Sequence, residues 1–208
     1  DLGNWQDMKL LSKDFRVMSD IVINHASIKS KYFKNFIENK EDTQNFFIKL
    51  KNIQEGYENV VRPRSSDLFK EYAINDETFY LWCTFSHDQV DFNFKNPEVL
   101  FFFIKLIHLY LKNGIRVFRL DAIAFLWKEY GTNCLNLPQT HEVVKLIRTL
   151  LNAYSKNTLL ITETNLPNLE NLSYFGENDE ANAIYNFALP PLLLWTLVMG
   201  DSCLLYTS

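Results

Sequence analysis

"GIRVFRLDAIAFLWK", residues 114–128, decides how this chain is read. Ile115, Val117, Phe118 and Leu120 form a short apolar run suited to a buried strand, yet Arg119 and Asp121 stand two positions apart within it. Side chains at i and i+2 of a strand leave the same face. A guanidinium and a carboxylate therefore point together into whatever that face lines, and burying them is costly unless each ion finds a partner. The strand is flanked by helices. Before it, "NPEVLFFFIKLIHLYLKNG" (96–114) has Asn96 as N-cap, Pro97 at the first helical position and Gly114 as stop. After it, "LPQTHEVVKLIRTLLNAYSKN" (137–157) is amphipathic, with Val143, Leu146, Ile147, Leu150 and Leu151 at helical spacing.

The alternation continues in both directions. A helix over 5–12 precedes the strand "FRVMSDIVINH" (15–25), "TLLITET" (158–164) is a third strand, and "NAIYNFA" (182–188) with "PPLLLWTLVMG" (190–200) is a fourth strand with its helix. Such regularity predicts a parallel sheet, open or closed into a barrel. About 70 residues, 26–96, interrupt it. Connections in α/β units usually run ~2–6 residues, so this stretch is expected to be an inserted subdomain at the carboxyl end of the first strand, where α/β proteins place their chemistry.

Composition narrows the function classes. With 208 residues, 47% hydrophobic and 15% aromatic, the chain can bury a sizeable core. A net charge of −4 and the lack of a long basic run argue against nucleic acid or an anionic membrane as partner and suit a small neutral polar ligand. Cys83, Cys134 and Cys203 are an odd number without metal-type spacing, so neither a disulfide framework nor a zinc site is expected, and a reducing, cytoplasmic compartment is. The most apolar stretch, 99–111, is broken by Lys105 and His108 and falls short of the roughly 18 residues of a membrane span.

Both ends look like those of a fragment. "DLGNWQDMKLLSKD" reads as beginning inside an amphipathic helix, and "SCLLYTS" (202–208) bears no periodic relation to the helix before it and is expected to be a non-native tail.

Polar residues gather at strand ends: Asn24 and His25, then Arg119 and Asp121, then Glu163 and Asn165. Asp121 and Glu163, on neighbouring strands, can flank a glycosidic bond, the arrangement for acid/base and nucleophilic catalysis. His87, His108 and His141 lack partners at ligand spacing and are expected to be structural. "GENDE" (176–180) reads as a solvated acidic loop. "VRPRSS" (61–66) places Arg62 and Arg64 around Pro63, either on a surface loop or as a fork for an anionic group.

"DIVINH" (20–25), "IRVFRLDAIAF" (115–125) and "LLITET" (159–164) resemble the first three ordered sequence regions of the alpha-amylase family, glycoside hydrolase family 13. Beyond these, "VVRPRSSDLF" (60–69), "WCTFSHDQVDFNFKNPEV" (82–99), "WKEYGTNCLNLPQTH" (127–141) and "YNFALPPLLL" (185–194) resemble its sucrose phosphorylase subfamily. "FLWKEYGT" (125–132) and "LLITETNLPNLENLSYFG" (159–176) are most similar to the glucosylglycerate phosphorylase branch, with Thr164 and Asn165 where sucrose phosphorylases carry Val-His.

The resemblance implies a partial (β/α)8 barrel, about strands 3 to 6. Residues 1–25 and 97–201 would be barrel and 26–96 the inserted subdomain. It implies a retaining α-glucoside phosphorylase acting on glucosylglycerate or sucrose. Asp121 would be the nucleophile and Glu163 the acid/base. Arg119 would pair with Asp121 and keep it ionised, His25 would bind the glucose 6-hydroxyl, and Asn24 and Asp20 would be framework positions. Arg62, Arg64 and Asn165 are candidates for acceptor or phosphate binding. No metal or cofactor is expected; inorganic phosphate is the co-substrate. A hydrolase or transglucosylase with the same carboxylates and a noncatalytic barrel subunit are the alternatives. The family's third carboxylate, on a His-Asp motif, has no counterpart after Glu163, so these 208 residues alone are expected to be inactive.

Overall fold

The computed structural model describes residues 3–75 and 77–207. The helix α1 (Trp5–Asp14) opens with a complete capping box: Gln6 N–H donates to Asn4 Oδ1, and Asn4 N–H donates to Asp7 Oδ2. It therefore begins at Trp5 rather than running in from the chain start, as its amphipathic pattern had suggested. The strand β1 (Met18–Val22) follows. Between β1 and the next long helix lie β2 (His25–Ser27), α2 (Lys31–Ile37), β3 (Lys49–Leu50), β4 (Phe69–Ile74), β5 (Glu77–Trp82) and β6 (Gln89–Asp91). Here β2 and β6 pair antiparallel, and β3, β5 and β4 form a small antiparallel sheet. Aromatic side chains between β1 and the next long helix, among them Phe33 and Phe36 of α2 with Phe47 and Phe92, belong to the same buried cluster as Ile21, Phe118 and Leu160, so one core runs through the molecule.

The remainder is regular. The helix α3 (Pro97–Lys112) is capped by Asn96, whose side chain accepts from Glu98 N–H, and buries Val99, Phe103, Ile107 and Leu111. It gives way to β7 (Val117–Asp121) through Gly114, at φ +92°; a Cβ there would lie 2.1 Å from Ser12 Oγ, so both conformation and space call for glycine. Then come α4 (Pro138–Tyr154), β8 (Leu159–Thr162), the short α5 (Asn168–Leu172), β9 (Ala183–Ile184), α6 (Leu189–Met199) and α7 (Cys203–Thr207). Gly200 at φ +68° ends α6 where the sequence placed its stop. The expected tail thus forms α7, with Ser208 outside the described residues. On α4 the buried stripe is Thr140, Val143, Val144, Ile147 and Leu151; Leu146 and Leu150 sit one edge too far round and stay 38% and 39% exposed.

The four parallel strands lie in the order β1-β7-β8-β9, each beside the next in the chain. A doubly wound sheet reverses its order at a switch point; a singly wound barrel does not. The architecture is accordingly a partial (β/α)8 barrel. Ile21, Ile23, Phe118, Leu120 and Leu160 are buried, while the alternate side chains Asp20, Val22, Arg119, Asp121 and Ile161 are exposed or half-buried. Asp20 is opposite Arg119 and Val22 opposite Asp121, so register puts the polar residues on the less buried face.

Candidate active site

Asp121 ends β7, and Glu163 stands one residue beyond β8, its N–H donating to Leu120 O at 3.0 Å. Between them the chain takes an uncommon turn. Ala122 has φ +53°, left-handed for a residue with a Cβ, and this aims its N–H at Glu163 Oε2, 2.9 Å away. Such a conformation costs ~1–2 kcal/mol and is the kind of strain that collects at functional sites.

Arg119 donates to Asp20 through Nε (2.7 Å) and Nη2 (3.1 Å), and the same Nη2 reaches Asp121 Oδ1 at only 3.4 Å. The Tyr185 ring covers the guanidinium at 5.2 Å. The fork is therefore matched first to Asp20. Burial and then the charge of the neighbouring Glu163 push Asp121 above the usual carboxylate range, and Arg119 opposes them. Arg119 works against that rise without outweighing it.

Behind β1 lies a second polar centre that sequence reasoning missed. The Lys128 ammonium, on a side chain 6% exposed, donates to Asp91 Oδ2 (2.7 Å), Asn24 Oδ1 (2.6 Å) and Phe125 O. Asp91, fully buried, also accepts from Asn24 Nδ2 (3.0 Å), Thr84 N–H (3.1 Å) and Thr84 Oγ1 (2.6 Å). The signal was present in "FLWK": a lysine seven residues after Asp121 in an apolar run needs a buried acceptor. Lys128 fills with its own charge a nest of acceptors of the type that holds a cation. Among the described residues no cluster of three His, Cys, Asp or Glu is arranged for a metal.

His25 is 7% exposed, packs on Phe85 at 4.9 Å, and lies below the usual imidazole range because burial disfavours its charge. Phe85 in turn lines a cavity of about 360 Å³ together with Arg62, Pro63, Phe125, Glu163 and Asn165. Arg62 thus reaches the cavity, although its Nη2 is engaged with Ser66 Oγ and the carbonyls of Asp67 and Cys83 at 3.0–3.1 Å. Arg64 is exposed and lies outside the lining. Asn165 also borders an adjoining hollow of about 390 Å³ with Asn168, Asn171 and Asn186.

The other histidines have local roles. His87 bonds Asp67 O at 3.0 Å, and exposed His108 meets Tyr154 edge-on. His141 lies between Glu180 Oε2 (2.8 Å) and Asn136 Oδ1 (3.1 Å) and stacks on Tyr174. The acidic run is consequently only partly solvated: Glu177 and Asp179 are exposed, but Glu180 is 3% exposed because His141 gives it a partner.

Known proteins share this framework. The alpha-amylase catalytic domain matches residues 3–196. A glucosylglycerate phosphorylase of Spirochaeta thermophila is 45% identical over 201 residues, covering 96% of this chain and 34% of that protein. The Escherichia coli glucosylglycerate phosphorylase is 41% identical over 196 residues, covering 93% and 35%. The crystal structure of sucrose 6F-phosphate phosphorylase from Thermoanaerobacter thermosaccharolyticum superposes with a TM-score of 0.86 at 24% identity, over 99% of this chain and 44% of that one. The chain spans about a third of the length of the curated relatives it matches. With the catalytic-domain match running over nearly all of its length, the chain belongs to the alpha-amylase family.

Proposed function

We propose that the protein is a retaining α-glucoside phosphorylase whose donor is glucosylglycerate. The observation that carries this reading is the placement of Asp121 and Glu163 at the ends of adjacent parallel strands, where Ala122 N–H, next to Asp121, donates to Glu163 Oε2, with a cavity beyond Glu163 to receive an acceptor. Asp121 attacks the anomeric carbon as Glu163 gives its proton to the departing glycerate oxygen, forming a glucosyl ester. Glu163, now a base, takes the proton of incoming phosphate as a phosphate oxygen displaces Asp121. The product is α-glucose 1-phosphate, and both carboxyls return to their starting states. Arg119 and Asp20 fix the nucleophile's surroundings, while His25 and Asn24 serve the glucosyl side. Arg62 and Asn165, which line the cavity, serve the acceptor and phosphate side.

Similarity to glucosylglycerate phosphorylases at 41–45% identity supports the choice of donor. The reading needs no metal or organic cofactor, since Lys128 supplies the cation of the acceptor nest. Its partners are small sugars and phosphate, and it works in the cytoplasm, where phosphate is plentiful. No helix is long and apolar enough to cross a membrane among the described residues. Incubating the full-length protein with glucosylglycerate tests the reading. Release of α-glucose 1-phosphate that requires phosphate is the expected result; release of free glucose at the same rate without phosphate makes it a hydrolase.

A further inference from the structure

Part of the lining of the cavity beyond Glu163 comes from chain without regular structure. Val61, Arg62 and Pro63 border the cavity, and residues 51–68 around them take neither helix nor strand. Surface segments of this kind are the mobile parts of a protein unless something ties them down. This one is tied to the loop that leaves Asp121. The Tyr130 hydroxyl donates to Glu55 O at 2.6 Å, and Val61 N–H donates to Asn133 O at 2.9 Å.

The anchoring loop is itself braced. Thr132 donates to Glu129 O through N–H (3.2 Å) and Oγ1 (2.8 Å), Cys134 N–H donates to Thr132 Oγ1 (3.1 Å), and Asn136 N–H donates to Ala124 O (2.8 Å). Glu129 pairs with Lys95 at 2.9 Å. On the other partner, glycine is what lets the tyrosine settle. Gly56 has φ +111°, and a Cβ there would lie 3.0–3.1 Å from the hydroxyl and two ring carbons of Tyr130, so a side chain would be strained and would push the ring away. Tyr57 completes the contact, meeting Tyr130 edge-on at 5.5 Å and Trp82 of β5 at 5.4 Å. The Arg62 guanidinium is bonded within the inserted subdomain, to Ser66, Asp67 and Cys83. The bonds to Glu55 and Val61 are the ones that relate its segment to the loop carrying the nucleophile.

We infer that Tyr130 is a positioning residue: seated on Gly56, it latches segment 55–63 to the loop leaving Asp121 and so holds Arg62 where incoming phosphate meets the glucosyl-enzyme. The inference rests on the proposed phosphorylase reading and adds to it two residues that touch neither sugar nor phosphate. Its signature is selective. Attack on the donor uses Asp121 and Glu163, whereas capture of phosphate also uses the latched segment.

Tyr130→Phe removes the hydroxyl and keeps the ring. In the full-length protein it is expected to raise KM for phosphate ~2–10-fold, the range for one lost hydrogen bond, while the burst of fluoride released from α-glucosyl fluoride keeps its wild-type rate. Gly56→Ala opens the latch from the other side and should give the same split with a rise of ~5-fold or more. The double variant should show less than the product of the two effects, because a latch already open is not opened again. Hydrogen exchange read by mass spectrometry needs no reaction: peptides over 55–63 should exchange faster in both variants than in the wild type, and those over β1 should not. An unchanged KM for phosphate would overturn the positioning role, as would a fall in the fluoride burst equal to the rise in KM, which would make Tyr130 structural only. Unchanged exchange over 55–63 would overturn the latch itself. Faster exchange in the variants, beside a wild type that releases glucose with no need of phosphate, would uphold the latch and count against the proposed reaction alone.

Discussion

Replacing Lys128 by Met keeps the length of the side chain and deletes its charge. The wild-type ammonium has three acceptors, Asp91 Oδ2, Asn24 Oδ1 and Phe125 O, and burial lowers its pKa while Asp91 opposes the shift. Removing one partner of a buried ion pair costs ~3–5 kcal/mol. Asp91 would keep three donors, from Asn24 Nδ2, Thr84 N–H and Thr84 Oγ1, which favours the lower part of that range. Stranding Asn24 Oδ1 and Phe125 O, at ~1–3 kcal/mol for each unsatisfied group, works in the other direction without simply adding. A loss of ~3–5 kcal/mol corresponds to a fall in melting temperature of ~2–4 °C for a protein of the relatives' length, of which this chain covers about a third. The assay is thermal unfolding of the full-length protein followed by circular dichroism, for Lys128→Met, Asp91→Asn and the double variant. The double variant should lose less than the sum of the single ones, because neither charge is then left buried alone. A Lys128→Met protein that melts within a degree of the wild type would refute the buried-pair argument.

Other expectations concern the carboxyls and the acceptor nest. Asp121→Asn should lower turnover by roughly 10⁴-fold or more, since the nucleophile is lost while its shape remains. It should also raise stability at neutral pH. A carboxyl whose folded pKa lies above its unfolded value destabilises the fold once pH exceeds the unfolded value, and that penalty fades as pH falls through the folded value, so the stabilisation should vanish in acid. Arg119→Gln removes a charge that lowers Asp121, so the acid limb of the kcat/KM profile should move to higher pH; a limb that stays or moves down would contradict the assigned electrostatics. Treatment with a chelator should leave both melting temperature and activity unchanged, because Lys128 already fills the nest around Asn24 and Asp91.

Much of the framework was legible in the sequence because periodicity and caps report it directly. Asn96, Pro97 and Gly114 bounded α3 within a residue or two, and "VFRLD" read as β7. Strand ends were less legible. "FRVMSDIVINH" spans eleven positions but only Met18–Val22 pair in the parallel sheet, since His25 turns away to pair with Asp91 in β2 and β6. "NAIYNFA" shortens to Ala183–Ile184 because apolar content does not specify how many ladder bonds form. Within the site, Asp121 and Glu163 stood out as charges at strand ends. The partners that give them their character did not: Asp20 claims the Arg119 fork from 99 residues away, and Lys128 reaches Asn24 from 104. Gln89 and Ser86 carry no charge to draw attention, and only the fold brings their loop against His25.

The central claim is that Asp121 carries the glucosyl group between donor and phosphate. A Glu163→Gln variant of the full-length protein, given α-glucosyl fluoride, tests it most directly: fluoride leaves without an acid, whereas release of the sugar from the ester still needs the missing base. Rapid quenching, digestion and mass spectrometry are predicted to find one glucosyl group on the peptide containing Asp121, and none when Asp121→Asn is combined with Glu163→Gln. A glucosyl group on another residue, or fluoride release with no covalent sugar at any time, would contradict the account.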